Sequence, residues 1–201
     1  MLLLVGLGNP GSEYANNRHN IGFLAIDAIA KHFSFTPFSK KFHGYIAEGL
    51  IDGVKVIALK PDTFMNESGR AVLAVSNFFK ISSEKILVLH DEIDLAPAKV
   101  KVKRGGGHSG HNGLRSIHEH IGSDYGRVRI GIGHPGSKEL VIAHVLKDFS
   151  KTDNEWVDKV LGAISNNAIL LTSKRDSDFM SQVATETNPT KVKKMDNENG
   201  F

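Results

Sequence analysis

At 201 residues, 40% hydrophobic and 23% charged, the chain has material for one real core and too little length for two comfortable domains. It contains no cysteine, which excludes disulfides and thiolate-bound metals and suits a reducing cytoplasm. The formal charge is only +3, but residues 99–129 carry Lys99, Lys101, Lys103, Arg104, Arg115, Arg127 and Arg129 against Glu119 and Asp124, a surplus of five that leaves the rest of the chain slightly acidic.

The first element is the apolar run Leu2-Leu3-Leu4-Val5, expected to form a buried strand over 2–7. It has no basic flank and is too short for a signal peptide or a membrane span. It stops at Gly6-Leu7-Gly8-Asn9-Pro10-Gly11, where glycines and a proline force a turn. A polar stretch then delivers Arg18-His19-Asn20 to a helix expected near 21–33, whose Ile21, Leu24, Ile26, Ile29, Ala30 and Phe33 mostly follow helical spacing. Strands near 44–51 and 54–60 are joined by Asp52-Gly53, a strong hairpin signal. Glu67 to Phe79 reads as a helix burying Ala71, Val72, Val75, Phe78 and Phe79. Strands follow at 86–90, 99–103 and 128–133, with helices near 113–121, 139–146 and 153–173. This alternation predicts a single three-layer α/β domain over 1–184, with a mixed, mostly parallel twisted sheet flanked by helices. Residues 185–201, TETNPTKVKKMDNENGF, are polar and expected to form a disordered tail.

Gly6-x-Gly8-x-x-Gly11 satisfies the dinucleotide-binding pattern G-x-G-x-x-G. That fingerprint needs a helix opening at the turn and an acidic residue at the end of a second strand about twenty residues on. Here the turn runs into a polar stretch, and Asp27 falls inside a helical pattern, so the nicotinamide-cofactor reading is the weaker one.

Four clusters can carry chemistry. The first is Asn9 with His19. The second is Phe64-Met65-Asn66, where Asn66 alone reads best as a helix N-cap. The third is His90-Asp91-Glu92-Ile93-Asp94, carboxylates at a strand end that either hold a divalent cation or tune a neighbouring base. The fourth is Arg104-Gly105-Gly106-Gly107-His108-Ser109-Gly110-His111-Asn112-Gly113, a loop whose backbone N–H groups could approach an anion at a helix start, or a flexible lid with no binding role. Lys99, Lys101 and Lys103 alternate with Val100 and Val102, which puts the lysines on one exposed strand face. Such a localised basic patch fits a polyanionic partner. His108 and His111 are spaced i, i+3 in a Gly-rich loop, without an H-E-x-x-H helix, so a metal is not the favoured reading.

Taken together, GLGNPGSEYANNRHNIG, KPDTFMNESG, LVLHDEIDLAPAKVKVKRGGGHSGHNGLRSI and RVRIGIGHPG resemble bacterial peptidyl-tRNA hydrolase, in that family's order and spacing, from Leu2 to Phe149. Asn17 stands where the family usually has Thr, and Ala96 and Ala98 flank Pro97 where the pattern is more often Pro-Pro-Gly. The resemblance implies a monomeric, cytoplasmic enzyme that cleaves the ester between the peptide and the terminal ribose of peptidyl-tRNA, with no metal or other cofactor and no obligate protein partner. It implies His19 as catalytic base, Asp91 as the carboxylate that holds it, and Asn9, Asn66 and Asn112 as residues lining the peptide and ester end. Tyr14 and Phe64 match substrate-contact positions. Lys101, Lys103, Arg129 and His111 are expected to contact the tRNA acceptor arm. The chemistry is consistent: ester hydrolysis near pH 7 needs a base such as His, a carboxylate to hold it, and neutral donors for the tetrahedral intermediate. With no G-x-S-x-G elbow and no Cys, direct attack by water is more economical than a covalent intermediate. The rival from another class is a tRNA-binding module that has lost catalysis.

Overall fold

The structure, a computed structural model, describes residues 1–188. Leu2, Leu3, Leu4 and Val5 are all buried, which is what a strand covered on both faces requires. This strand, β1 (Leu2–Gly6), lies at the centre of a seven-stranded sheet. The others are β2 (Ser39–Lys41), β3 (Gly44–Ile51), β4 (Val54–Pro61), β5 (Ile86–Glu92), β6 (Val100–Arg104) and β7 (Gly126–Gly131), in the order β2-β3-β4-β1-β5-β7-β6. The central β4, β1, β5 and β7 pair in parallel, while β2–β3, β3–β4 and β6–β7 are antiparallel. Only β3 and β6 therefore run against the common direction, and the sheet is mixed as expected.

The period-two alternation builds two cores. Leu2, Leu4, Leu87, Leu89 and Val128 face helices α1 (Ile21–His32) and α5 (Lys151–Thr172). Leu3, Val5, Ile57, Leu59 and Val88 face α2 (Ser68–Phe79) and α3 (Asn112–Ile121). Helix, sheet and helix make the three layers. Helix α5 opens with a capping box in which Ser150 accepts from Asp153 N–H and Asp153 accepts from Ser150 N–H.

Several boundaries differ from expectation. Strand β5 continues through Asp91 and Glu92, β6 is displaced by one residue, and β7 spans Gly126–Gly131 instead of 128–133. The stretch 139–146 splits into a 3₁₀ turn (Lys138–Leu140) and a short α4 (Val141–Val145). The expected burial of Phe78 is wrong: it is 66% exposed and stacks on Phe42 and Phe79 at the surface, while Ser76 takes the inward position by donating its hydroxyl to Leu73 O. Strand β2 gave no signal because its three residues are polar and its turn, Phe42-His43, lacks the Gly or Asn normally found where φ is positive. Helix α6 (Asp176–Thr187) was also unforeseen, since only Phe179 and Val183 are buried along it. It takes in residues 185–187 of the expected tail; from 189 onward that tail lies outside the described residues.

Candidate active site

Two glycines bring the site together. A Cβ on Gly6 would run into the Gly22 carbonyl, and a Cβ on Gly22 would run into the Leu89 carbonyl. With neither present, the start of α1 rests on the ends of β1 and β5, secured by Leu7 N–H to Leu89 O and Phe23 N–H to Leu7 O. Of the G-x-G-x-x-G glycines, Gly6 and Gly8 serve close packing against α1 and Gly11 supplies a turn at φ 112°. The 3₁₀ turn Arg18–Asn20, immediately before α1, is held against the end of β5. From the other side Arg18 donates to Lys147 O and Asp148 O and pairs with Asp153 at 2.7 Å, while Asn17 donates to Asp148 at 2.6 Å. Asn17 is therefore buried and well bonded.

His19 Nδ1 lies 2.9 Å from both oxygens of Asp91, whose carboxylate is buried. A carboxylate can only accept here, so Nδ1 carries the proton and Nε2 keeps its lone pair for work in the cavity. Burial opposes a charge on His19, but the Asp91 charge and hydrogen bond outweigh it and raise the imidazole pKa above 6.5. Burial would likewise raise Asp91, yet the two histidines beside it hold the carboxyl well below its ordinary 3.8.

The second histidine is His111, whose Nε2 is 2.9 Å from Asp91 Oδ1. The sequence marked His111 for tRNA contact; the structure puts it on the carboxylate. It is the N-cap of α3, and its Nδ1 accepts from the N–H groups of Gly113 and Leu114. That fixes the tautomer, because a nitrogen accepting two backbone N–H groups has no proton, so Nε2–H donates to Asp91. No sequence signal distinguished this cap from the other loop histidines. Behind it, His90 donates Nδ1–H to Asp91 O, is buried, and is held neutral by that burial with a pKa of about 3.

His19, Asp91 and His111 place one nitrogen or oxygen each within 4.8 Å of one another, a set able to surround a metal. The wiring of His111 argues against this use. A metal-bound neutral imidazole carries its proton on the other nitrogen, and on His111 that nitrogen already accepts from the helix start. The other carboxylates point elsewhere: Glu92 accepts from Arg129 Nε at 2.9 Å and from Asp94 N–H at 3.1 Å. The three acids of the HDEID segment do not converge on a common point.

The asparagines play unequal parts. Asn9 is buried, its backbone clasped by Asn20 in two hydrogen bonds of 2.9 Å, and its Oδ1 accepts from Met65 N–H at 2.8 Å. Since Met65 N–H must donate, Nδ2 of Asn9 is left as a free donor. Asn9 borders a hollow of about 290 Å³ with Phe23, Tyr45 and Lys60, whereas His19 and Asp91 line a separate cavity that does not include it. Asn66 is exposed within a 3₁₀ turn and is not the N-cap, a position taken by Phe64 for that turn and by Glu67 for α2. Asn112 is the exposed first residue of α3 beside His111. The two loops touch, for a Cβ on Gly113 would come within 2.6 Å of Met65 Sδ. Tyr14 and Phe64 stack edge to face at 6.4 Å, with Phe64 57% exposed.

The catalytic-looking end opens into a cavity of about 420 Å³ lined by His19, Asp91, His111, Lys103, Arg127 and Arg129, among others. Lys101 and Lys103 are exposed on edge strand β6, but only Lys103 borders the cavity. In the Gly-rich loop the carbonyls of Gly105 and Gly107 both accept from buried Arg127, and among its backbone N–H groups those of Gly105 and Gly110 are taken by Tyr125 O and His108 Nδ1.

The chain matches the family model described as Peptidyl-tRNA hydrolase over residues 3–193. It is 57% identical to a peptidyl-tRNA hydrolase of Ruegeria pomeroyi, across 94% of this chain and 79% of that protein. It is 58% identical to one from Rhodopseudomonas palustris, across 91% of each. Its fold superposes on the crystal structure of peptidyl-tRNA hydrolase from Acinetobacter baumannii with a TM-score of 0.86 at 44% identity, covering 91% of this chain and 94% of the other.

Proposed function

The chain belongs to the peptidyl-tRNA hydrolase family, and on that premise we propose that it hydrolyses the ester joining peptide to the 3′-terminal ribose of peptidyl-tRNA, with His19 as the base. The observation that carries the reading is the His19–Asp91 pair, with a protonated Nδ1 on a buried carboxylate and Nε2 left for a water. Nε2 takes a proton as the water oxygen attacks the ester carbonyl. The imidazolium that forms is stabilised by Asp91 and returns the proton to the departing ribose oxygen. The products are a peptide carboxylate and a tRNA with a free ribose hydroxyl.

Neutral donors suit the developing oxyanion, and Asn9 Nδ2 is turned outward by its bond to Met65. Asn66 and Asn112, both exposed, add the same kind of donor for the peptide end, with Tyr14 and Phe64 as an apolar border. Lys103 and Arg129 supply charge for backbone phosphates at the other end of the cavity, with Lys101 further along the strand. His111 acts through Asp91 instead of through the tRNA. We assign no metal or cofactor to the reaction, and expect a monomer in the cytoplasm without an obligate protein partner. Among the described residues no helix is long and apolar enough to cross a membrane.

Incubation with N-blocked aminoacyl-tRNA tests this directly. The protein should release free tRNA, and His19→Ala should bind the substrate without releasing it. Binding without release by the unaltered protein would favour a tRNA-binding module.

A further inference from the structure

We propose that Arg127 is a positioning residue for hydrolysis: its guanidinium locks the Gly-rich loop so that His111 reaches Asp91. The inference rests on the assignment of His19 and Asp91 as the base and its carboxylate. Arg127 lies on β7 opposite Lys103 of β6 and Val88 of β5, on the sheet face shared with α3. It is only 3% exposed, and among the described residues no carboxylate lies within ion-pair distance of it. A buried cation without a counter-ion is expensive to keep, so its hydrogen bonds must do something a smaller neutral side chain could not.

Those bonds go to two carbonyls of one loop. Nη1 donates to Gly107 O at 2.6 Å and Nη2 donates to Gly105 O. The stretch 104–113 has five glycines, each with more backbone freedom to lose than another residue, and Gly105, Gly106 and Gly110 sit at positive φ. Such a chain does not order itself. The guanidinium fork spans the two carbonyls at fixed separation, which an ammonium cannot do. Beyond Gly107 the path is short: His108 O accepts from His111 N–H at 2.9 Å, and His111 caps α3 and donates to Asp91. Holding Gly105 and Gly107 therefore sets where His111 stands. At Gly106, whose φ is +87°, a Cβ would approach Lys103 and Arg127 to 3.0–3.3 Å, so a side chain there would be backbone-strained and tight against both.

If His111 loses its place, Asp91 loses a donor, and its charge bears more fully on His19. The imidazolium is then favoured, and the acidic limb of kcat/KM moves to higher pH. Besides His111, the other charged and titratable groups lining the cavity at this pair are His90 and Glu92 of β5, Lys103 of β6, His108 of the loop, Arg127 and Arg129 of β7, and Lys138. Arg127→Lys leaves the total charge untouched, so a shift in the limb reports geometry.

The test is the pH profile of hydrolysis for Arg127→Lys, His111→Ala and the double variant. Arg127→Lys should lower kcat about tenfold, a moderate loss for misplacing one group in an assembled site. It should raise the acidic-limb pKa, and add little in the His111→Ala background. A raised KM and flatter salt dependence with kcat and limb unchanged would make Arg127 a phosphate contact and overturn the proposal. If Arg127→Lys does not fold, NMR of the unaltered protein decides: the Arg127 guanidinium protons should exchange slowly, and exchange as fast as for exposed Arg70 would overturn it. Asp91→Asn is the control. If that variant leaves the limb unmoved, the assignment of His19 and Asp91 fails; if Asp91→Asn moves it and Arg127→Lys does not, only the role of Arg127 fails.

Discussion

His19 and His111 converge on a single oxygen, Asp91 Oδ1, each from 2.9 Å. One histidine presents Nδ1 and the other Nε2, and only the His111 ring has its far nitrogen occupied by a helix start. The two rings, 5.0 Å apart, are thus not equivalent. His19 is free to take a proton on its far side and His111 is not.

His19→Ala should reduce kcat by about 10²–10⁴-fold, the range for loss of a general base. Asp91→Asn should bind substrate normally but turn over slowly, since an amide can hold the ring but cannot stabilise its charge. The unaltered protein should show an acidic limb above 6.5, because His19 is raised by Asp91, and Asp91→Asn should bring it down. The double variant should be little worse than His19→Ala alone. Fully multiplicative losses would separate the two residues.

Acid stability should depend on His90. Its folded pKa of about 3 lies below the ordinary 6.5, so its contribution is complete above pH 6.5 and is lost as pH falls toward 3. Asp91 is also depressed, so it adds stability above 3.8 that disappears as pH falls through its lower folded value. His19, being raised, acts in the opposite sense: it stabilises below 6.5 and loses that contribution as pH rises through its folded value. His90→Asn keeps a donor for Asp91 O and removes the titration. Urea unfolding at pH 7 and pH 4.5 should show a smaller loss for the variant, from a full span on the order of 5 kcal/mol for a shift of this size. Equal losses would show that His90 is not the acid-sensitive group.

Lys103 and Lys101 should separate in a salt titration. Both are exposed on β6, but only Lys103 borders the cavity. Lys103→Ala should raise KM with kcat nearly unchanged, as for an interaction present in both ground and transition states. It should also lower the slope of log KM against log salt by about one unit for each phosphate that is no longer neutralised. Lys101→Ala should do less on both counts, and equal effects would put the phosphate path along the whole strand.

Hydrolysis should survive exhaustive chelation once the tRNA's own need for cations is met. His111 Nδ1 is committed to Gly113 and Leu114, and a metal at Nε2 would break that cap. Activity lost to a chelator and restored by a single divalent ion would reverse this view and make His19, Asp91 and His111 ligands.

The apolar run Leu2 to Val5, the Asp52-Gly53 turn and the helical stripe beginning at Ile21, in the alternation of strands and helices along the chain, carried the prediction of a layered α/β domain, because burial on both faces leaves a strand apolar throughout and a helix apolar along one stripe. The pairing of His19 with Asp91 was legible only through resemblance, since 72 residues separate them and nothing local connects the two. What tertiary structure alone decided was the direction of each polar side chain. His111 went to Asp91 because a helix start fixed its tautomer, and Arg127 went under the glycines because the Gly105 and Gly107 carbonyls are the acceptors its guanidinium reaches. Hydrophobic patterning specifies where a strand or helix lies. Hydrogen-bond donors and acceptors find partners only after those elements have packed, so their roles emerge from distances that no spacing along the chain encodes.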